Sequence, residues 1–138
     1  MPQARAVELT WSGEGLRFTG AGTKPATPAI EIDGDGETGP SPMIAVLMEA
    51  AGCAGADVVV ILRKMRIRLR EVSIAVEGMR RDEEPRRYVS LRFRFRLAGE
   101  GLDRAKADRA VSLSLEKYCS VVSSLAPDIS IDYDIDLV

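Results

Sequence analysis

The chain holds two cysteines, and each stands where it can serve packing or chemistry. Cys53 has Glu49 four residues before it and Asp57 four residues after it. On a helix that spacing stacks the three side chains along one face. Two carboxylates in an otherwise apolar stretch are costly unless something pairs them. Beside a thiol they oppose its ionisation, whereas a nearby arginine favours it. The local pattern therefore asks for a cation supplied from elsewhere in the fold. It also fits a small buried hydrophobe, with the acids facing a cavity or a subunit seam. Cys119, in Glu116–Lys117–Tyr118–Cys119–Ser120–Val121, lies one turn from Leu115 and Val122 and can face the same core. Alone it too reads as packing. One cysteine on each of two helices that pack together is nonetheless what an attacking and resolving pair needs, provided the backbone brings them within disulfide range.

Other chemistries have little to stand on. No histidine is present, which removes the commonest metal ligand and general base. Two lone cysteines do not make a zinc site, so neither a metal nor a bound organic cofactor is expected. The sequence has no phosphate-binding loop and no nucleophile elbow.

Composition sets the frame. At 138 residues, 46% apolar and 29% charged, the chain reads as one soluble globular domain spanning 1–138. A net charge of −2 gives no global field toward nucleic acid or an anionic membrane. No basic, hydrophobic leader opens the sequence, since the first ten residues already read as a strand. The expected compartment is the cytoplasm, where structural disulfides are uncommon.

The elements that must position the cysteines follow from periodicity and punctuation. Val7, Leu9 and Trp11 mark a first strand, Leu16 and Phe18 a second, Ile30 and Ile32 a third. The acidic, glycine-rich Asp33 to Gly39 is a loop. Ser41 can cap a helix that Pro42 opens, and Met43 to Leu62 is apolar on nearly every side. Such a helix is buried in protein or in lipid; its two carboxylates and small residues favour protein. The basic Arg63 to Arg70 reads as its C-terminal continuation. Val72, Ile74 and Val76 share one strand face, and Leu91, Phe93, Phe95 and Leu97 another, with Arg92, Arg94 and Arg96 pointing away toward Glu71 or Glu77. A second helix is expected from about Leu102 to Leu125, with Val111, Leu115, Tyr118, Val122 and Leu125 as its apolar stripe. The tail from Ile129 to Leu137 alternates as a last strand. The order predicts an α+β domain. A helix apolar all round is hard for one small sheet to cover, so a homodimer is expected.

These residues carry a resemblance. Gly39–Pro40–Ser41–Pro42–Met43, followed by Ala51–Gly52–Cys53 and Asp57–Val58–Val59, resembles the central helix of the OsmC/Ohr family, and Glu116 to Val121 is similar to its second-cysteine motif. The resemblance covers essentially the whole chain. It implies an OsmC-like fold: two long central helices wrapped by antiparallel sheets in an intertwined homodimer, with active sites at the seam. It also implies a thiol peroxidase of oxidative or osmotic stress defence, acting on an organic hydroperoxide or hydrogen peroxide and restored by a lipoyl-type dithiol reductant. On that resemblance Cys53 is the peroxidatic residue and Cys119 the resolving one. The family's activating arginine comes from the N-terminal strands, which implies Arg17. Active organic-hydroperoxide members carry a glutamate directly after the helix-opening proline; here Met43 stands there, as in an OsmC-like branch with Ser–Pro–Met, and Glu49 is the candidate replacement. The alternative implied by that branch is a redox sensor or small-ligand-binding stress protein with weakly reactive thiols.

Overall fold

The computed structural model describes residues 2–138 and is α+β, with the elements in the expected order. Met1, included in the first-strand expectation, lies outside the described residues. The chain divides into two compact units, one running through Val46 and the other Leu47–Val138.

The first unit is a three-stranded antiparallel sheet of β1 (Ala6–Trp11), β2 (Arg17–Lys24) and β3 (Ile30–Asp33), in that order. The loop after β3 is organised by the buried Asp33. Its carboxylate accepts the backbone N–H groups of Asp35, Glu37 and Thr38 and the Thr38 hydroxyl. The loop ends at Ser41, whose hydroxyl accepts the Ile44 N–H at 3.4 Å and so caps helix α1 (Pro42–Lys64).

From Leu47 on, α1 belongs to the second unit. Ala50, Ala54, Val58 and Leu62 are fully buried at helical three-and-four spacing, which makes α1 a core helix. It is also long and apolar enough to cross a membrane by length and composition. Of the basic Arg63 to Arg70, only Arg63 and Lys64 continue the helix, as its last turn. Arg66 takes a left-handed conformation (φ 63°), and the Ile67 N–H donates to the Leu62 carbonyl, a closure that ends α1. Arg68 to Arg70 instead begin β4 (Arg68–Arg80), which pairs antiparallel with β5 (Tyr88–Glu100).

The inward face of β5, Leu91, Phe93, Phe95 and Leu97, is essentially inaccessible to solvent and forms the core of this unit with Val58, Leu62 and Val111. At Gly55 a Cβ would meet the Ile74 Cδ1 at 2.6 Å, so α1 packs closely on β4 there and a larger residue would make the Ile74 side chain shift. The outward Arg92, Arg94 and Arg96 are a paired face. Arg92 bonds Asp134 at 2.6 Å and Arg96 pairs with Glu71 at 3.2 Å.

Two further expectations are corrected. The last strand, β6 (Ser130–Leu137), pairs parallel with β5, so this sheet is mixed rather than antiparallel throughout. The second helix is not continuous. It comprises α2 (Arg104–Leu113), a π turn (Ser114–Tyr118) and the short α3 (Ser120–Ser123), with Cys119 in extended conformation between the last two. The Asp103 carboxylate accepts the Lys106 N–H and caps α2.

Candidate functional site

Both cysteines lie in the Leu47–Val138 unit, and each is placed by a different device. Cys53 is held by the regular turn of α1, half-buried and one turn from Asp57. Cys119 depends on the π turn. There the Cys119 N–H donates to the Ser114 carbonyl at 2.7 Å, five residues back instead of four. Such turns fit one extra residue into the helix and are frequent at functional sites. The extra residue rephases the face: Ala107, Ala110, Val111 and Ser114 point inward, and then Cys119. Tyr118, placed on the buried stripe by simple periodicity, is 50% exposed, whereas Cys119 is 3% exposed. Two bonds hold this segment against β6: the Tyr133 hydroxyl to the Asp108 carboxylate at 2.8 Å, and Arg104 to the Ile135 carbonyl at 2.9 Å.

The Cys53 and Cys119 sulfurs and an Asp57 carboxylate oxygen all lie within 4.8 Å of one another, and both thiols are free. The buried Ser114 hydroxyl donates to the Asp57 carboxylate at 3.0 Å and lies 3.3 Å from the Ala54 carbonyl. Ser114 was not singled out from sequence. The signal was a serine on the inward stripe seven residues after Ala107, where a buried hydroxyl must find a partner.

Burial pushes the Cys119 thiol up to about 11. The nearby Val122 backbone N–H opposes that rise, while the Cys53 thiol and the Asp57 charge add to it. At neutral pH Cys119 is therefore a protonated, sheltered thiol beside the more accessible Cys53. A cavity of about 500 Å³ is lined by Asp57, Val60, Ile61, Lys64, Met65, Arg109, Leu113 and Tyr118, so it meets the cluster at Asp57 and carries two cations.

The other two candidate residues have different surroundings. Glu49 is exposed on α1. Arg17 forms ion pairs within the first unit, with Glu14 and Glu37 at 3.5 Å and Asp33 at 3.9 Å.

The family pattern described as OsmC-like protein matches residues 34–134, the stretch that contains both cysteines. The chain belongs to the OsmC family. Among OsmC relatives, Protein YhfA of Escherichia coli (strain K12) is 39% identical over 126 residues, covering 91% of this chain and 92% of YhfA. The crystal structure of an OsmC-like protein from Mycoplasma pneumoniae superposes with a TM-score of 0.84 at 14% identity, over 100% of this chain and 99% of that one. The organic hydroperoxide resistance protein OhrB of Bacillus subtilis superposes with a TM-score of 0.59 at 18% identity, over 99% and 98%. At those identities the two structures share the OsmC fold with this chain.

Proposed function

We propose that the chain is a cysteine-based thiol peroxidase of oxidative-stress defence, working as one OsmC-like domain in a cytoplasmic homodimer. The observation that carries this reading is the convergence of two sulfurs within 4.8 Å, one half-buried and one buried. The Cys53 thiolate attacks the distal oxygen of a hydroperoxide. The O–O bond breaks, the alkoxide leaves and takes a proton as an alcohol, and Cys53 becomes a sulfenic acid. The Cys119 sulfur then displaces that oxygen as water and forms the disulfide, which a dithiol of lipoyl type reduces by exchange. A sheltered, protonated resolving thiol suits this order, because it does not compete for peroxide before Cys53 is oxidised. Arg17, anchored by Glu49, is the proposed cation for the thiolate.

One equivalent of an organic hydroperoxide should convert the reduced protein to a Cys53–Cys119 disulfide within the chain. The Cys119→Ser variant should stop at Cys53 sulfenic acid and then over-oxidise. Mass spectrometry reads both states. Two free thiols in the treated wild type would overturn the reading.

A second reading, a redox sensor or small-ligand-binding stress protein with weakly reactive thiols, is favoured by Met43 at the position of the usual glutamate and by the three acids that engage Arg17. Comparing rates of Cys53 oxidation by organic and hydrogen peroxide separates the two. Slow reaction with both favours the sensor or binder.

A further inference from the structure

The geometry points to a second use of the same cluster: Cys53, Cys119 and Asp57 form a three-ligand site for Zn²⁺. Among the described residues these three bring two sulfurs and one carboxylate oxygen within 4.8 Å of one another. A tetrahedral zinc ion with Zn–S bonds of about 2.3 Å places its ligand atoms roughly 3.5–3.8 Å apart, so the sulfur pair must close by about 1 Å at most. Two of the three ligands, Cys53 and Asp57, stand one turn apart on the regular helix α1, and the third, Cys119, directly follows the π turn.

The donor set selects the ion. Two thiolates disfavour Mg²⁺ and Ca²⁺, which take oxygen ligands, while the carboxylate disfavours Cu⁺, which takes soft sulfur. Two sulfurs, one oxygen and a vacant fourth position match a zinc site of the open type. A group that orients a ligand from behind is also present: the Ser114 hydroxyl donates to Asp57 at 3.0 Å. A cavity of about 500 Å³ has Asp57 in its lining, so the cluster adjoins open space on its carboxylate side. Two S–H bonds are replaced by two Zn–S bonds, and two protons leave to solvent. The bound ion with two thiolates and one carboxylate carries a net charge of −1, and Lys64 and Arg109 on the cavity wall offset it. The sequence showed two lone cysteines. The third ligand emerges only when the fold sets Cys119 beside the Cys53 and Asp57 turn.

The inference goes beyond the peroxidase reading, and its test contains no peroxide. Reduced, metal-free protein is titrated with Zn²⁺ against a chromophoric chelator. One ion per chain is expected, and Cys53→Ser, Cys119→Ser and Asp57→Asn should each weaken binding by about ten-fold or more. X-ray absorption on the zinc-loaded wild type decides the ligand set even if a variant misfolds. Two sulfur neighbours at about 2.3 Å with oxygen at about 2.0–2.2 Å are expected. Absence of stoichiometric binding, a shell of four sulfurs shared between chains, or undiminished affinity in a folded Asp57→Asn protein would each overturn the site. Zinc binding by a protein that does not reduce peroxide would leave this inference standing and remove the peroxidase reading.

Discussion

The Ser114 hydroxyl reaches from the π turn to the Asp57 carboxylate on α1 at 3.0 Å, joining the helix that carries Cys53 to the turn that Cys119 directly follows. Ser114 is fully buried, so its hydroxyl has no water to fall back on. Ser114→Ala should cost about 1–2 kcal/mol, because Asp57 loses its donor in a part-buried setting. Denaturant unfolding of Ser114→Ala, Asp57→Ala and the double variant measures this. The pair should couple by about 0.5 kcal/mol or more; additive losses would mean that the contact contributes nothing.

The Cys119 thiol makes stability fall at alkaline pH. Its ordinary value of 9.0 is pushed up to about 11, chiefly by burial. The folded state favours the neutral thiol, so the unfolded chain releases its proton first. The stabilising effect is complete below about pH 9 and is lost as pH rises toward 11. Unfolding midpoints should drop over that window in wild type and drop less in Cys119→Ser. Peptide mass spectrometry after alkylation at pH 8 should find Cys53 modified well ahead of Cys119.

Much of this arrangement was legible in the sequence. Alternation placed β5 correctly, since Phe93 and Phe95 face a core and the intervening arginines face solvent. Ser41–Pro42 marked the start of α1 because capping chemistry is local. Three features were hidden for reasons of physics. The parallel pairing of β6 is a choice of topology, and strict alternation looks the same in either direction. The π turn changes the helical period in mid-segment, so a three-and-four count carries Tyr118 inward along with Cys119, whereas only Cys119 is buried. The left-handed Arg66 has no local signature, because glycine is the usual residue in that conformation.

Acid should loosen the loop after β3. The Asp33 carboxyl is held below its ordinary 3.8, first by the Thr38 N–H and then by that of Asp35; burial opposes them, and Glu37 and the Thr38 hydroxyl add to the lowering. A depressed carboxylate contributes stability above its ordinary value and loses it as pH falls through the lowered one. Amide exchange at Asp35, Glu37 and Thr38 should therefore accelerate below about pH 4. In Asp33→Asn that acid dependence should vanish; an unchanged profile would assign it to another group.

Assembly follows from the surface that the chain leaves uncovered. Val7, Leu9, Trp11 and Ile30 of the first sheet are exposed, as are Ile44, Met48 and Val60 of α1. Exposed large apolar side chains in both units suit an interaction site, and the proposed homodimer would cover them. Sedimentation equilibrium at micromolar concentration should give twice the chain mass of 15.0 kDa. Met48→Glu with Val60→Glu should shift the equilibrium toward the single chain. A wild type that sediments at 15.0 kDa would remove the homodimer from the reading.

The hardest test falls on Arg17. Its guanidinium is engaged by Glu14, Asp33 and Glu37, so any service to Cys53 must compete with three acids. The first and third of these are exposed pairs of small worth, and the Asp33 contact is long at 3.9 Å. An opposite charge near a thiol changes its ionisation by about 1–3 pH units, each worth about 1.4 kcal/mol or ten-fold. Arg17→Ala should then slow Cys53 alkylation and peroxide reduction at pH 7 by about ten-fold or more, in parallel. Glu49→Gln should slow both by less, since it loosens the arginine without removing it. Arg17→Lys keeps the charge and should recover part of the rate, which a loop-organising role alone would not require. Coincident pH–rate profiles for wild type and Arg17→Ala would confine Arg17 to the Asp33 loop and leave Cys53 without this activator.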